Sequence, residues 1–264
     1  MLKVENLYKV FFPGSVNEKV ALNHVSFELN QGDFVTIVGG NGAGKTTLLN
    51  CIAGVFPVED GSVHLNGDDI TRLPDYKRAQ FICRIFQDPM QGTAGTLTVE
   101  ENLALALRRG QKRRLRRAIT ERERKIFKEK LTVLQLGLEN RLSTQVKLLS
   151  GGQRQALSML MATLLQPKLA LLDEHTASLD PKTGTRVLEL TRTLFEEQGI
   201  TTLMVTHNME QALTMGNRTI MMHEGRIILD LKGAKRKDMT VPKLIELFYE
   251  CSGEKMQQDR MLLI

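Results

Sequence analysis

Gly39-Gly40-Asn41-Gly42-Ala43-Gly44-Lys45-Thr46, followed by Thr47, fits the pattern G-x-x-x-x-G-K-S/T. Residues of these types in this order can grip a polyphosphate. Glycines let the backbone fold so that successive N–H groups point inward at an anion, and a helix starting at the lysine adds its positive end. Lys45 supplies a mobile point charge for the β- and γ-phosphates, and Thr46 offers a hydroxyl to Mg²⁺. The pattern needs a strand before it and a helix after it, and DFVTIV and Lys45 to Ala53 supply both. Alone it says only that the chain binds a nucleotide, since kinases, GTPases and helicases share it.

A second helix start has the same chemistry. In Leu149-Ser150-Gly151-Gly152-Gln153, Ser150 and Gln153 form an S-x-x-Q capping box, and the two glycines allow backbone to approach an anion closely. One active site has no use for two such cradles a hundred residues apart. Leu169-Ala170-Leu171-Leu172-Asp173-Glu174 is an apolar strand ending in two carboxylates. Such a strand is buried on both faces, so its acids stand at the ligand-binding edge of a sheet. Strand neighbours point to opposite sides, which predicts different work for Asp173 and Glu174. Gln87 after ICRIF and His207 after TTLMVT are polar residues at strand ends, and Asp180-Pro181 is a good N-cap and N1 pair.

These residues need elements to hold them. Strands are expected at LKVENL, VALNHVSFEL and DFVTIV, with a turn at Asn30-Gln31-Gly32. A helix follows from Lys45 to Ala53, with Leu48, Leu49 and Ile52 on one side and Gly54 as its stop. SVHLNG and ICRIF read as further strands, and 96–165 as a helix-periodic insert in which Thr98 and Glu101 box the start of a helix through Leu107. Then LALLD, a helix from Pro181, TTLMV, a short helix near Met209, TIMMH and RIILD alternate, and LIELFYE gives a last helix before a polar end that should fray. The alternation argues for α/β with a mostly parallel central sheet, an antiparallel β subdomain at the N-terminal end and an inserted α-helical subdomain. The expected division is one domain over 1–235 and a C-terminal helix and tail over 236–264.

The 264 residues, 42% hydrophobic and 25% charged, suit a soluble globular chain with a sizeable core. No run of about 18 apolar residues exists, and the start lacks a secretory h-region, so neither a membrane span nor export is expected. Cys51, Cys83 and Cys251 stand far apart and form no C-x-x-C pair, which reads as free thiols in a reducing compartment. Net charge is +6, and Arg108, Arg109, Lys112, Arg113, Arg114, Arg116 and Arg117 supply much of the excess. That cluster is a solvated helix end, a membrane-facing surface or a nucleic-acid surface. No aromatic residue interleaves with it, so base stacking has nothing to use there, and membrane proximity is favoured over nucleic acid.

With the phosphate loop and LSGGQ together, the chain resembles the ABC ATPase family over residues 2 to 230. The resemblance implies a phosphate-loop NTPase fold, ATP and Mg²⁺ as cofactors, and two chains sandwiching ATP, so that Ser150, Gly151, Gly152 and Gln153 complete the other copy's site. It implies Asp173 on Mg²⁺, Glu174 as general base, Gln87 in the loop that reaches the metal or water and links to a transmembrane partner, and His207 on the γ-phosphate. Ser178-Leu179-Asp180 resembles the segment that crosses the dimer interface. Phe11 occupies the adenine-stacking position, with Tyr8 and Phe12 as competitors. His175 stands where the family usually has proline, and Gly40 where many members carry proline or serine. A single ATPase unit implies a homodimer or a pair with a second ATPase subunit. It would act with integral membrane permease subunits, and in an importer with an extracytoplasmic solute-binding protein, peripherally on the cytoplasmic face of the cell membrane. Import of an amino acid or similar solute is the favoured direction. The competing expectation is a soluble relative acting on nucleic acid or in cofactor assembly.

Overall fold

From the first residues the elements run β1 (Leu2–Phe11), β2 (Lys19–Leu29), β3 (Phe34–Val38), α1 (Lys45–Ala53), β4 (Asp60–Leu65), β5 (Asp68–Asp69), α2 (Asp75–Arg78), β6 (Ile82–Ile85), α3 (Val99–Leu107) and α4 (Glu121–Thr132). They continue with α5 (Gly151–Thr163), β7 (Leu169–Asp173), α6 (Pro181–Thr191), β8 (Thr201–Val205), α7 (Met209–Thr214), β9 (Arg218–His223), β10 (Arg226–Lys232), α8 (Ala234–Lys237) and α9 (Val241–Ser252). This computed structural model describes residues 1–111 and 119–253. The fold is α/β, and the chain divides into two units, Met1–Arg78 with Gly199–Ile264, and Ala79–Gln198.

In the first unit an antiparallel sheet takes the order β2-β1-β4-β5. Its register shifts within β1 and β2, where Asn6 and His24 adopt positive φ, so the alternation of buried and exposed residues is interrupted there. β3 lies between β8 and β9, parallel to both, and β10 pairs antiparallel with β9. All five residues of β3 are buried, as a strand covered on both faces must be. α1 buries Leu48, Leu49 and Ile52, and Gly54 ends it in a left-handed conformation, φ 81°. The far end of α1 is held by Arg78. Its guanidinium is buried and donates to the carbonyls of Cys51, Ile52, Thr71 and Leu73, placing a cation at the negative end of the helix dipole. α9 is not a loose appendage: Leu244 and Phe248 pack with Val38, Met209, Ala212, Met221 and Leu231 in one core cluster.

In the second unit β6 and β7 pair parallel. Helices α3, α4 and α5 occupy the stretch expected to be helical, and the unit extends beyond that stretch on both sides. Thr98 and Glu101 form both halves of a capping box on α3, and Thr120 and Glu123 do the same on α4. Arg108 is spent inside the unit, donating to the Ala104 carbonyl and to Glu123 at 2.8 Å, which ties α3 to α4. Lys112, Arg113, Arg114, Arg116 and Arg117, the rest of the cationic cluster apart from Arg109, lie outside the described residues.

Cys51 and Cys83 are buried and Cys251 exposed, all free. Burial pushes the first two thiols up to about 12, so neither forms a thiolate at neutral pH. Among the described residues no helix is long and apolar enough to cross a membrane.

Candidate active site

In the first unit the phosphate loop joins β3 to α1. Gly44 sits at the helix N-cap with φ 95°, a left-handed conformation closed to most side chains, and a Cβ there would strike the Ala21 carbonyl. No side chain caps α1, whereas Thr98, Thr120, Ser150, Asp180 and Asn208 cap α3, α4, α5, α6 and α7. The one helix that follows the glycine loop therefore keeps the anion-facing N–H groups of its first turn clear of a side-chain cap. Lys45 is buried, and its Nζ donates to the carbonyls of Gly39 at 2.8 Å and Gly40 at 3.0 Å, bracing the loop from within. The β9–β10 turn supports the same loop: Gly225 N–H donates to the Ala43 carbonyl at 3.1 Å. Asn41, Gly42 and Thr46 are exposed, Thr47 is partly so, and a side chain at Gly40 would meet nothing within 4 Å. A Cβ at Gly40 therefore has room.

His207 is exposed between buried Thr206 and Asn208, whose side chain caps α7. Ile37 pairs with Val205 in register, so Gly39 and His207, each two residues on, leave the same carboxyl edge of parallel strands. Among the three aromatic candidates the surroundings differ. Tyr8 is stacked on His24, ring centroids 5.3 Å apart, and Phe12 is 68% exposed with φ 53°. Phe11 is edge-on to Phe56 at 5.4 Å, with the Lys9 ammonium 5.3 Å from its ring centroid. It pairs across the sheet with Lys19, whose Nζ lies 3.5 Å from where a Cβ on Gly42 would stand. That pairing sets Phe11 across the sheet from a lysine whose ammonium reaches the phosphate loop.

In the second unit Ser150 accepts from Gln153 N–H at 3.3 Å, and Gln153 Oε1 accepts from Ser150 N–H at 3.2 Å. Because the Ser150 oxygen serves as the cap, its own proton is left to donate outward. The two glycines divide the work. Gly151 is exposed, and a Cβ there meets only Leu179 Cδ2 at an ordinary 3.5 Å; a Cβ on buried Gly152 would drive into the Thr183 methyl. Gly152 therefore serves the packing of α5 on α6, and only Gly151 offers open backbone to a ligand. Gly152→Ala should lower stability by about 2 kcal/mol while Gly151→Ala leaves it unchanged, as denaturant titration of the two variants checks. Asp180 caps α6 through Thr183 N–H at 3.1 Å, and the hydrogen bonds from Thr183 hold its carboxyl below the usual range. Gln87 is exposed, and its carbonyl accepts from Ser178 Oγ at 3.1 Å.

The two acids part company for a reason other than strand alternation. β7 ends at Asp173, and Glu174 lies beyond it with φ 43°. A left-handed non-glycine residue costs about 1–2 kcal/mol, and such strain gathers where a side chain must be aimed. The alternation argument thus reaches Asp173 and stops; Glu174 stands in a left-handed turn. His175 is buried, its Nε2 2.7 Å from Thr191 Oγ1, and burial pushes its pKa down to about 4, so the ring is neutral.

A sequence model of the family described as ABC transporter matches residues 22–177, more than half of the chain, from before the phosphate loop to past the paired acids. The chain belongs to the ABC transporter family. It is an ABC ATPase, a subunit that binds and hydrolyses ATP. It is 44% identical over 249 residues to a tyrosine transport ATP-binding protein of Clostridioides difficile (strain R20291), across 94% of this chain and 98% of that one. Among solved structures it resembles a dimeric post-hydrolysis state of the ATP-binding cassette MJ0796 bound to ADP and Pi, with TM-score 0.75 and 30% identity over 88% of this chain and 98% of that chain. A nucleotide-free ATP-binding cassette from an ABC transporter matches with TM-score 0.75 and 27% identity over 94% of this chain and 98% of that chain.

The oxygen donors of this ABC ATPase are of the kind Mg²⁺ takes: a hydroxyl on Thr46 in the first unit, and a carboxylate on Asp173 and an amide oxygen on Gln87 in the second, each a hard ligand. Among the described residues no group of three or more His, Cys, Asp or Glu gathers, and Mg²⁺ needs none, since it rests on one or two carboxylates plus phosphates. Several supporting residues of the ABC ATPase carry no signal in sequence. Lys9 reads as an exposed strand residue, yet the shifted register of β1 buries it, bonded to Glu59 at 2.7 Å beside Phe11. Gln155 reads as one polar residue of a helix, yet it is fully buried and donates to the Phe86 carbonyl next to Gln87.

Proposed function

We propose that this ABC ATPase closes as a dimer around two ATP molecules and drives uptake of an amino acid or similar small solute through separate permease subunits. The observation that carries the reading is a pair of differently finished helix starts. α1 follows a glycine loop and has no side-chain cap, and α5 opens with Ser150 as its cap beside the exposed Gly151. Each suits one side of a phosphate tail. In this reading Phe11 stacks on adenine; the loop from Gly39 through Gly40, Asn41, Gly42, Ala43 and Gly44 to Lys45, Thr46 and Thr47 wraps the phosphates. Ser150, Gly151, Gly152 and Gln153 of the second copy close over them, with Asp180 at the interface. Thr46, Asp173 and Gln87 would hold Mg²⁺, which when bound would neutralise charge on the phosphates. Glu174 takes a proton from the attacking water as its oxygen bonds to the γ-phosphorus and the bond to ADP breaks. Lys45 and His207 stabilise the charge on the transferring phosphoryl group.

Closure follows from differential affinity, because each nucleotide touches both copies only in the closed state. Hydrolysis removes the bridge and the dimer reopens. The relative of 44% identity, named for tyrosine transport, supports an amino-acid-like solute, and a peripheral place on the cytoplasmic face of the membrane goes with permease partners. Affinity capture of the tagged chain from detergent-solubilised membranes of its own cells tests this. A multi-span permease should co-elute, and ATPase activity of the reconstituted complex should rise with an amino-acid-loaded binding protein. Co-elution with nucleic acid that salt removes, and no permease, contradicts it.

A further inference from the structure

Glu174 is held in a left-handed backbone conformation at the first position after β7, φ 43°, and such a conformation persists only where its surroundings over-determine it. Two backbone bonds close the turn, Ala177 N–H to the Glu174 carbonyl at 3.0 Å and Leu179 N–H to the Thr176 carbonyl at 3.2 Å. Two side chains that reach out of it are Ser178, which donates to the Gln87 carbonyl at 3.1 Å, and His175. His175 is 1% exposed, and its Nε2 lies 2.7 Å from Thr191 Oγ1. Thr191 has one hydroxyl proton, donated to the Val187 carbonyl at 2.8 Å, so toward the ring it accepts and Nε2 is the protonated nitrogen. Thr191 ends α6 where the helix widens into a π turn over Arg192–Glu196. The helix that Asp180 caps at its start is thus tied at its end to the residue beside Glu174.

Where the family usually has proline, this chain places a donor. A proline at this position would have no side-chain proton to give Thr191, and its ring would steer the residue before it toward extended backbone. We propose that His175 is a positioning residue for Glu174: through its bond to Thr191 it fixes the turn that holds the glutamate in its left-handed conformation. The proposal rests on Glu174 being the general base.

The test uses the full chain and compares steady-state ATP hydrolysis, ATP affinity and melting temperature for His175→Ala, His175→Gln, Thr191→Val and Glu174→Gln. His175→Ala and Thr191→Val should each lower kcat roughly ten- to a hundredfold by misplacing the base, with KM for ATP held within about twofold. His175→Gln puts an amide N–H near the place of the imidazole Nε2–H and should restore kcat to within about threefold of the parent. The Ala–Val double variant should be no slower than either single one. Wild-type kcat in Thr191→Val, which keeps the shape of the threonine if the histidine variant does not fold, overturns the proposal. So does a His175→Ala defect that His175→Gln fails to rescue. A Glu174→Gln chain that hydrolyses ATP at the normal rate overturns the base assignment itself, a separate result.

Discussion

Glu174→Gln lowers the rate constant for ATP hydrolysis by about a thousandfold, the mid-range for loss of a positioned general base, and leaves ATP affinity intact. The amide keeps the size of the carboxylate and tolerates the same left-handed backbone, so the turn from Glu174 to Ala177 survives the change. It cannot accept the proton of the attacking water. Single-turnover hydrolysis beside equilibrium ATP binding checks the split between chemistry and affinity. A companion substitution separates function from strain. Glu174→Gly places at φ 43° the residue that accepts it best, so it should raise stability by about 1 kcal/mol while abolishing hydrolysis. A gain in stability with loss of activity is the mark of strain kept for function. Equal activity in the glutamine variant would remove Glu174 from the chemistry.

Lys45→Ala weakens ATP binding by about a hundredfold, the weight of one lost charge-assisted contact of some 3 kcal/mol, and takes hydrolysis below detection. Two effects combine. The phosphates lose their mobile cation, and the carbonyls of Gly39 and Gly40, which accept from Nζ at 2.8 and 3.0 Å, lose the donor that braces the loop. The variant should still fold, because α1 is anchored at its other end by Arg78 and along its length by Leu48, Leu49 and Ile52. Calorimetric titration with a non-hydrolysable ATP analogue reads the affinity, and undiminished affinity would mean that the phosphate tail lies elsewhere.

The parts of this molecule legible in sequence are those governed by local rules. The capping boxes at Thr98 and Ser150, the Asp180-Pro181 start and the helix from Lys45 to Ala53 each depend on residues within a turn or two, and the structure has each of them. The glycine loop could be placed because its pattern needs a strand before it and a helix after it, and β3 and α1 supply both. What sequence could not supply is tertiary. Strand alternation was the wrong rule for Glu174, because the strand stops one residue earlier and the backbone turns left-handed. Gly151 and Gly152 look alike in the chain and differ only because Thr183 of α6 lies against the second. Lys9 and Arg78 became internal through a shifted register and a helix end, neither of which leaves a pattern.

Light scattering of the Glu174→Gln chain with and without Gly151→Asp, each in the presence of ATP and Mg²⁺, tests most directly whether one copy's serine-glycine turn closes on the nucleotide of another. Gly151 is exposed with a single neighbour at an ordinary 3.5 Å, so the aspartate fits the isolated fold and sets a negative charge only against the bound phosphates. The account predicts an ATP-dependent dimer for Glu174→Gln and a monomer that still binds ATP for the double variant. An ATP-dependent dimer in both, or hydrolysis at full rate by a strict monomer of the unaltered chain, would contradict it.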